Sequence, residues 1–328
     1  MTAHTRQFLL PAAGSVALLL GLILASPGRS QSQPARTIKI VVPTAPGGPT
    51  DVTARLLAEH IGRARGLTYV IENRAGAGQT IGADAVARAK PDGNTLLITG
   101  NGFLVAPHLR KLNYDPFTSF APLCNLVRAP SLFVVNQTSP YRTLADLVTD
   151  ARARPSALTL ASTGPASVTH VALEMFNRAA DVKLTFVPYP GFAPSVNALL
   201  GGHVSSAMVD YSAVEQHLKA GTLRALATGM RARVESLPDV PTVNELGYKG
   251  YDIDFWFGLF APAKTPQPAL AELATWFVAA LAAPEIKPKL LAQGLLPVGL
   301  CGADFAGYMR KQYDAYGQAI RDSNIEAD

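Results

Sequence analysis

Ile38-Lys39-Ile40-Val41-Val42-Pro43-Thr44-Ala45-Pro46-Gly47-Gly48-Pro49-Thr50-Asp51-Val52-Thr53 begins as an apolar run, passes through a loop of Pro and Gly, and resumes with a helix-start composition near Thr50 or Asp51. A strand that breaks at Pro43 and a helix that opens soon after leave the first N–H groups of that helix without carbonyl partners. Gly47 and Gly48 allow close approach of a ligand to this backbone. The partial positive charge at a helix N-terminus suits an anion such as a carboxylate. The stretch Ser162–His170 repeats the construction. Two such turns facing one another would clamp a small acid.

Outward from that stretch, strand and helix patterns alternate. Strands are expected at Ile38–Val42, Thr68–Glu72, Thr95–Thr99, Leu132–Asn136, Leu158–Ala161, Leu184–Pro188, Ser205–Val209 and Leu223–Thr228. Helical spacing marks Asp51–Ala64, Thr80 to about Ala89, Leu144–Arg152, Val168–Ala179, Ala193–Leu200 and Ala213–Ala220, then Pro268–Ala282, Ala283–Gln293 and Ala303–Asp322. This alternation predicts an α/β protein with a largely parallel sheet. Leu123–Val135 and Asp254–Ala261 read as segments crossing between two lobes, assigned as 31–124 with 255–328, and 125–254.

The chain has 328 residues, 48% of them hydrophobic, enough for a well-buried core. Residues 1–30 stand apart. His4 and Arg6 precede an apolar run, and small residues follow at Ser26, Gly28 and Ser30, the layout of a secretory signal peptide cleaved between Ala25 and Gln33. A membrane anchor is the alternative, opposed by Pro11 within the run. Without this segment the chain loses Arg6 and Arg29 and no acid, so the net charge of +5 falls to +3. No Lys/Arg run or zinc-finger spacing accompanies that charge, so nucleic acid is not expected, and a mild positive field favours anionic solutes. Cys124 and Cys301 are the two cysteines; export allows a bridge between them, and sequence leaves it open. The six histidines show no metal-site spacing, and neither a metal nor a cofactor is expected.

The ordered motifs resemble one family, the Bug-type extracytoplasmic receptors of tripartite tricarboxylate transporters. They include Ala45-Pro46-Gly47-Gly48-Pro49-Thr50-Asp51, Glu72-Asn73-Arg74-Ala75-Gly76-Ala77-Gly78, Pro91-Asp92-Gly93, Ser162-Thr163-Gly164 with Ser167, Val187-Pro188-Tyr189, and Leu237-Pro238-Asp239-Val240-Pro241-Thr242. The resemblance spans nearly the whole chain after residue 30. It implies a periplasmic binding protein fold, two α/β lobes joined by two crossing strands with a ligand cleft between. It also implies a small organic acid as ligand, membrane permease subunits as partners, and a monomer.

On matching positions the resemblance places Gly47, Gly48, Thr50 and Asp51 in the first-lobe turn, and Ala77, Gly78 and Gln79 beside it. Ser162, Thr163, Gly164, Ser167 and Thr169 form the opposing turn, with Asp210 deeper. Tyr189, ending another strand, reads as either cleft wall or core. Thr44 stands where similar receptors carry an aromatic residue, and Gln79 where they carry Gly.

Each residue also has a structural reading. Thr50, Ser167 and Asp210 would serve as helix caps, Asp51 as a first-turn acid and His170 as a packed ring. Gly76-Ala77-Gly78 lacks the Gly-Lys-Ser/Thr ending of a nucleotide loop. Ser167 and His170 lack the acid and oxyanion hole of a hydrolase. A receptor without covalent chemistry is therefore expected, with a ligand-sensing partner of a membrane kinase as the alternative and a carboxylate-processing enzyme as the third reading.

Overall fold

The computed structural model describes residues 1–2, 36–164 and 167–326. The expected leader lies outside the described residues save for its first two. Residues 36–328 form one compact unit. Among the described residues, no helix is long and apolar enough to cross a membrane.

The opening stretch folds as a parallel strand, a loop and a helix. Strand β1 (Thr37–Val42) pairs in parallel with β2 (Thr68–Asn73) and β3 (Thr95–Gly100). Its apolar residues Ile38, Ile40, Val41 and Val42 are all buried, as expected of a strand covered on both faces. Helix α1 (Pro49–Arg65) starts with Pro at its first position and ends at Gly66, whose left-handed φ of 65° lets its N–H reach the Gly62 carbonyl. Helices α2 (Thr80–Ala87) and α3 (Gly102–Leu109) follow β2 and β3.

Strand β4 (Phe120–Asn136) carries the chain from one lobe to the other. Its first part, Phe120–Pro130, pairs antiparallel with β9 (Asp254–Pro262), and Cys124–Arg128 with β10 (Leu296–Cys301). Its last part, from Ser131 onward, pairs with β7 (Ser206–Asp210) and β8 (Leu223–Thr228). The second lobe is completed by α4 (Leu144–Ala153), β5 (Thr159–Thr163), α5 (Val168–Ala180), β6 (Thr185–Tyr189), α6 (Phe192–Leu200) and α7 (Tyr211–Lys219). The strand order is β2-β1-β3-β9-β4-β7-β5-β6. Three C-terminal helices follow β9, α8 (Gln267–Ala282), α9 (Lys287–Leu291) and α10 (Gly302–Asp322); α8 packs on α1, and α10 on both α3 and α5.

Several elements differ from expectation. Helix α3 and strand β10 were not anticipated; Pro297 and Gly299 interrupt the apolar run that would announce β10. The expected helix Ala283–Gln293 shrinks to Lys287–Leu291. Strands β4, β9 and β10 add antiparallel pairs to the predicted parallel sheet.

The returning segment meets β4 at a tight junction. Gly229 donates to the Ser131 carbonyl at 3.0 Å and accepts from Ile253 N–H at 2.9 Å. A Cβ at Gly229 would lie 2.6 Å from the Ile253 carbonyl oxygen, so only glycine fits. Next to it Asp254 is buried and accepts from the Tyr308 hydroxyl at 2.9 Å. Arg128 Nε lies 3.0 Å from its other oxygen, without the alignment of a hydrogen bond, and its guanidinium stacks 4.8 Å above the Tyr308 ring.

Cys124 and Cys301, left open by sequence, form a disulfide that staples β4 to β10 across 177 residues. On a chain-entropy model, closing so long a loop stabilises the fold by about 5 kcal/mol at most. Replacing both cysteines by serine should lower the urea midpoint by a clear margin; an unchanged midpoint would refute a stabilising staple.

Burial raises the Asp254 carboxyl to about 6, against the opposing charge of Arg128 and the Tyr308 hydrogen bond. The folded state thus holds this proton more tightly than the unfolded chain. That contribution is complete below pH 4 and is lost as pH rises through about 6, a change of roughly 2–3 kcal/mol. The Tm of the protein relative to Asp254→Asn should therefore fall between pH 4 and pH 6.5. A flat difference over that range would contradict the assignment.

Candidate functional site

In open α/β sheets ligands bind outside the carboxyl ends of strands. The ends of β1, β3, β5 and β7 and the start of β9 surround one cavity of about 370 Å³, at the small-metabolite end of the usual range.

Helix α1 opens at this cavity, which Gly48, Pro49 and Thr50 line. Gly48 holds the cap position with no side-chain cap. Thr50 is therefore inside the helix and not its cap. Val52 N–H takes the Gly48 carbonyl, and the N–H groups of Gly48, Thr50 and Asp51 precede the first residue with an intrahelical acceptor. Thr50 is buried.

The loop before it is locked by Asp51, whose carboxylate accepts from Gly47 N–H at 2.9 Å, Arg55 Nε at 2.9 Å and Asn73 Nδ2 at 3.0 Å. Asn73 Nδ2 also reaches the Thr44 carbonyl at 3.1 Å. Asp51 and Gly47 do not line the cavity. Burial pushes the Asp51 carboxyl up, and the bonds from Arg55, Gly47 and Asn73 outweigh it, leaving it below the usual range.

Beside this turn, Gln79 sits at a left-handed φ of 76°. Its Oε1 accepts from Thr99 at 2.8 Å, and its Nε2 makes no hydrogen bond among the described residues. Gly78 lines the cavity, whereas Ala77 is exposed and does not. Thr44 also lines the cavity, with its hydroxyl buried and unpartnered.

On the opposing lobe Ser167 caps α5, accepting from His170 N–H at 3.3 Å and donating to the Thr163 carbonyl at 3.0 Å. Thr169 Oγ1 lies 2.9 Å from both Ser167 Oγ and Thr163 Oγ1. The three side chains form a hydroxyl cluster on the cavity wall. His170 stacks on Phe186 with ring centroids 4.2 Å apart.

Asp210, at the end of β7, both caps α7 and faces the cavity. Its carboxylate accepts from Ala213 N–H at 2.9 Å and Ser212 Oγ at 2.6 Å. Burial raises this carboxyl against those bonds.

Ser162, Gly164 and Tyr189 do not line the cavity. Ser162 Oγ ties β5 to the Met208 carbonyl at 2.5 Å, and Gly164 N–H donates to the Tyr189 carbonyl at 2.9 Å.

Sequence reasoning missed a third helix start and the apolar walls. Asn101 and Gly102 begin α3 on the cavity. Asn101 is fully engaged, donating to the Asp254 carbonyl and Tyr316 hydroxyl and accepting from Trp256 N–H. Val105, Ala106 and Leu109 of α3 form one wall; Phe192, Phe255 and Phe257 also line the cavity, and Arg110 completes the lining beyond Leu109. The signal was present in Thr99-Gly100-Asn101-Gly102, another strand end running into a glycine turn.

Among the described residues no group of three or more His, Cys, Asp and Glu is placed to hold a metal ion.

A family model described as "Tripartite tricarboxylate transporter family receptor" matches residues 53–325. Protein BugT of Bordetella pertussis is 32% identical over 306 residues, covering 92% of this chain and 94% of that protein. The structure of the periplasmic binding protein BugD superposes with a TM-score of 0.75 at 33% identity, over 90% of this chain and 100% of that one. The structure of R. palustris Rpa4515 with adipate gives a TM-score of 0.78 at 32% identity, over 89% and 99%. MatC from Rhodopseudomonas palustris with bound malate gives 0.73 at 31%, over 88% and 100%.

Asp51→Ala would remove three hydrogen bonds to a charged acceptor that lock the first turn, at a cost of about 2–3 kcal/mol. Because the folded carboxyl is lowered, that stability is present above the ordinary carboxylate range and lost as pH falls through the lowered value. The urea midpoint of Asp51→Ala should lie well below that of the unsubstituted protein at pH 7, with a smaller gap near pH 3. Equal midpoints at pH 7 would mean that Asp51 does not hold the loop.

Proposed function

We propose that this chain, which belongs to the tripartite tricarboxylate transporter receptor family, captures a small organic carboxylate outside the cytoplasm and delivers it to a membrane permease of that transporter type. The observation that carries this reading is the convergence of three helix starts, those of α1, α3 and α5, on one small cavity. Their N–H groups and dipoles offer a carboxylate donors that replace its water shell. Adipate and malate, the ligands of two relatives, belong to the same chemical class.

In this reading Thr44, Gly48, Thr50, Gly78 and Gln79 contact the ligand from one side, and Thr163, Ser167, Thr169 and Asp210 from the other. Residues 31–124 with 255–328 form one jaw, and 125–254 the second. Closure about the Ser131–Gly229–Ile253 junction buries the ligand and presents a loaded surface to the permease. The protein binds and releases without covalent chemistry, and acts as a monomer in the periplasm after removal of residues 1–30. The Cys124–Cys301 disulfide accords with that oxidising compartment.

Calorimetry of the protein lacking residues 1–30 against a panel of mono- and dicarboxylates tests the reading; failure to bind any of them would sink it. Gly48→Val should abolish binding. The Gly48 φ is −77° and an added Cβ would meet nothing nearer than the Ala45 carbonyl at 3.9 Å, so Tm should stay within about 2 °C. Undiminished binding by this variant would remove the first turn from the site.

A further inference from the structure

The cavity lining carries two formal charges, Asp210 and Arg110. Asp210 is occupied as the cap of α7. Arg110 differs. It directly follows α3, at the position where its own N–H closes the helix on the Ala106 carbonyl. Its side chain is exposed, and its guanidinium lies over the Gly78 turn, 3.7 Å from where a Cβ on that glycine would stand. Among the described residues no ion pair joins a carboxylate to it, as is also the case for Arg65, Arg142, Arg152, Arg224, Arg231, Arg310 and Arg321, and of these eight Arg110 alone lines the cavity. A fork of N–H donors left unpaired at a cavity edge matches a planar anion. Val105, Ala106 and Leu109 of the same helix line the cavity without offering a side-chain hydrogen bond.

We propose that Arg110 receives a second acid group of the ligand, making the site selective for dicarboxylates whose two ends are separated by a short apolar spacer. This rests on the carboxylate-receptor reading above and names the substrate class within it. The first carboxylate takes the helix starts, the spacer lies along the α3 wall, and the second carboxylate meets the guanidinium. Gln79 Nε2 is a further donor on the same side of the cavity.

Calorimetry with matched pairs of equal chain length, butanedioate against butanoate and hexanedioate against hexanoate, tests this on the protein lacking residues 1–30. At least one diacid should bind tenfold or more tightly than its monoacid. Arg110→Gln should weaken that diacid ten- to a hundredfold and change the monoacid less than threefold. Arg110→Lys should restore part of the discrimination, since it keeps the charge and loses the fork. Equal affinities within every pair, or an Arg110→Gln variant that binds the diacid undiminished, would overturn the proposal while leaving a carboxylate receptor standing. A protein that binds none of the four acids nor any other carboxylate overturns the receptor reading itself, and this proposal with it.

Discussion

Every α-helix begins with N–H groups that its own carbonyls cannot reach, and this protein gathers several such beginnings around one space. Helices α1, α3 and α5 all open on the same cavity. Side chains that normally quench a helix start are largely committed elsewhere. Asp51 grips Gly47 on the loop before α1 and Asn73 at the end of β2. Asn101 ties the start of α3 to β9 and α10. Ser167 accepts from the His170 N–H of α5. The resulting need for an acceptor is a property of the backbone, held in place by side chains that lie mainly behind it.

Such a cavity requires two lobes held in register, and the junction at Ser131, Gly229 and Ile253 supplies that. Strand β4 is long enough to pair with β9 along its first part and with β7 along its last, and the returning chain is stitched to it through consecutive hydrogen bonds. Asp254 and Asn101 link this junction directly to the site: the Asn101 amide donates to the Asp254 carbonyl, while the Asp254 carboxylate is bound by Tyr308 and faces Arg128. A shift of β9 would therefore be felt at the start of α3. The disulfide fixes β10 against the same strand, so the first-lobe side of the junction is braced at two points.

Most strands and helices were legible because their apolar periodicity is local. Ile38–Val42 and Val168–Ala180 announce themselves in this way. What stayed hidden depends on partners distant in sequence. The first half of β4 and all of β10 contain Pro or Gly where an isolated strand would not, and their pairing with each other and with β9 compensates. At the site, nine of the fifteen expected residues line the cavity, most of them at strand ends, glycine turns and helix starts. Ser162 and Gly164 bear the right chemistry, yet the Ser162 hydroxyl is taken by the Met208 carbonyl and the Gly164 N–H by the Tyr189 carbonyl. Arg110 and the phenylalanine walls have no local signature; only the fold brings Phe192 and Phe255 within 5.4 Å of each other.

An acid in the first turn beside an anion site raises an electrostatic question, which Asp51 answers through its partners. Its carboxylate is buried and receives three donors, one of them the cationic Arg55. Paired with that guanidinium, its negative charge is balanced locally and adds little to the potential at the cavity. Arg55 also donates to Asn73, whose amide reaches both Asp51 and the Thr44 carbonyl. The same pair that cancels the charge therefore holds the loop whose exposed amides define the site. Removing Asp51 to make the turn more positive would dissolve the loop geometry on which any gain in field depends, so the acid is a condition of anion binding rather than an obstacle to it.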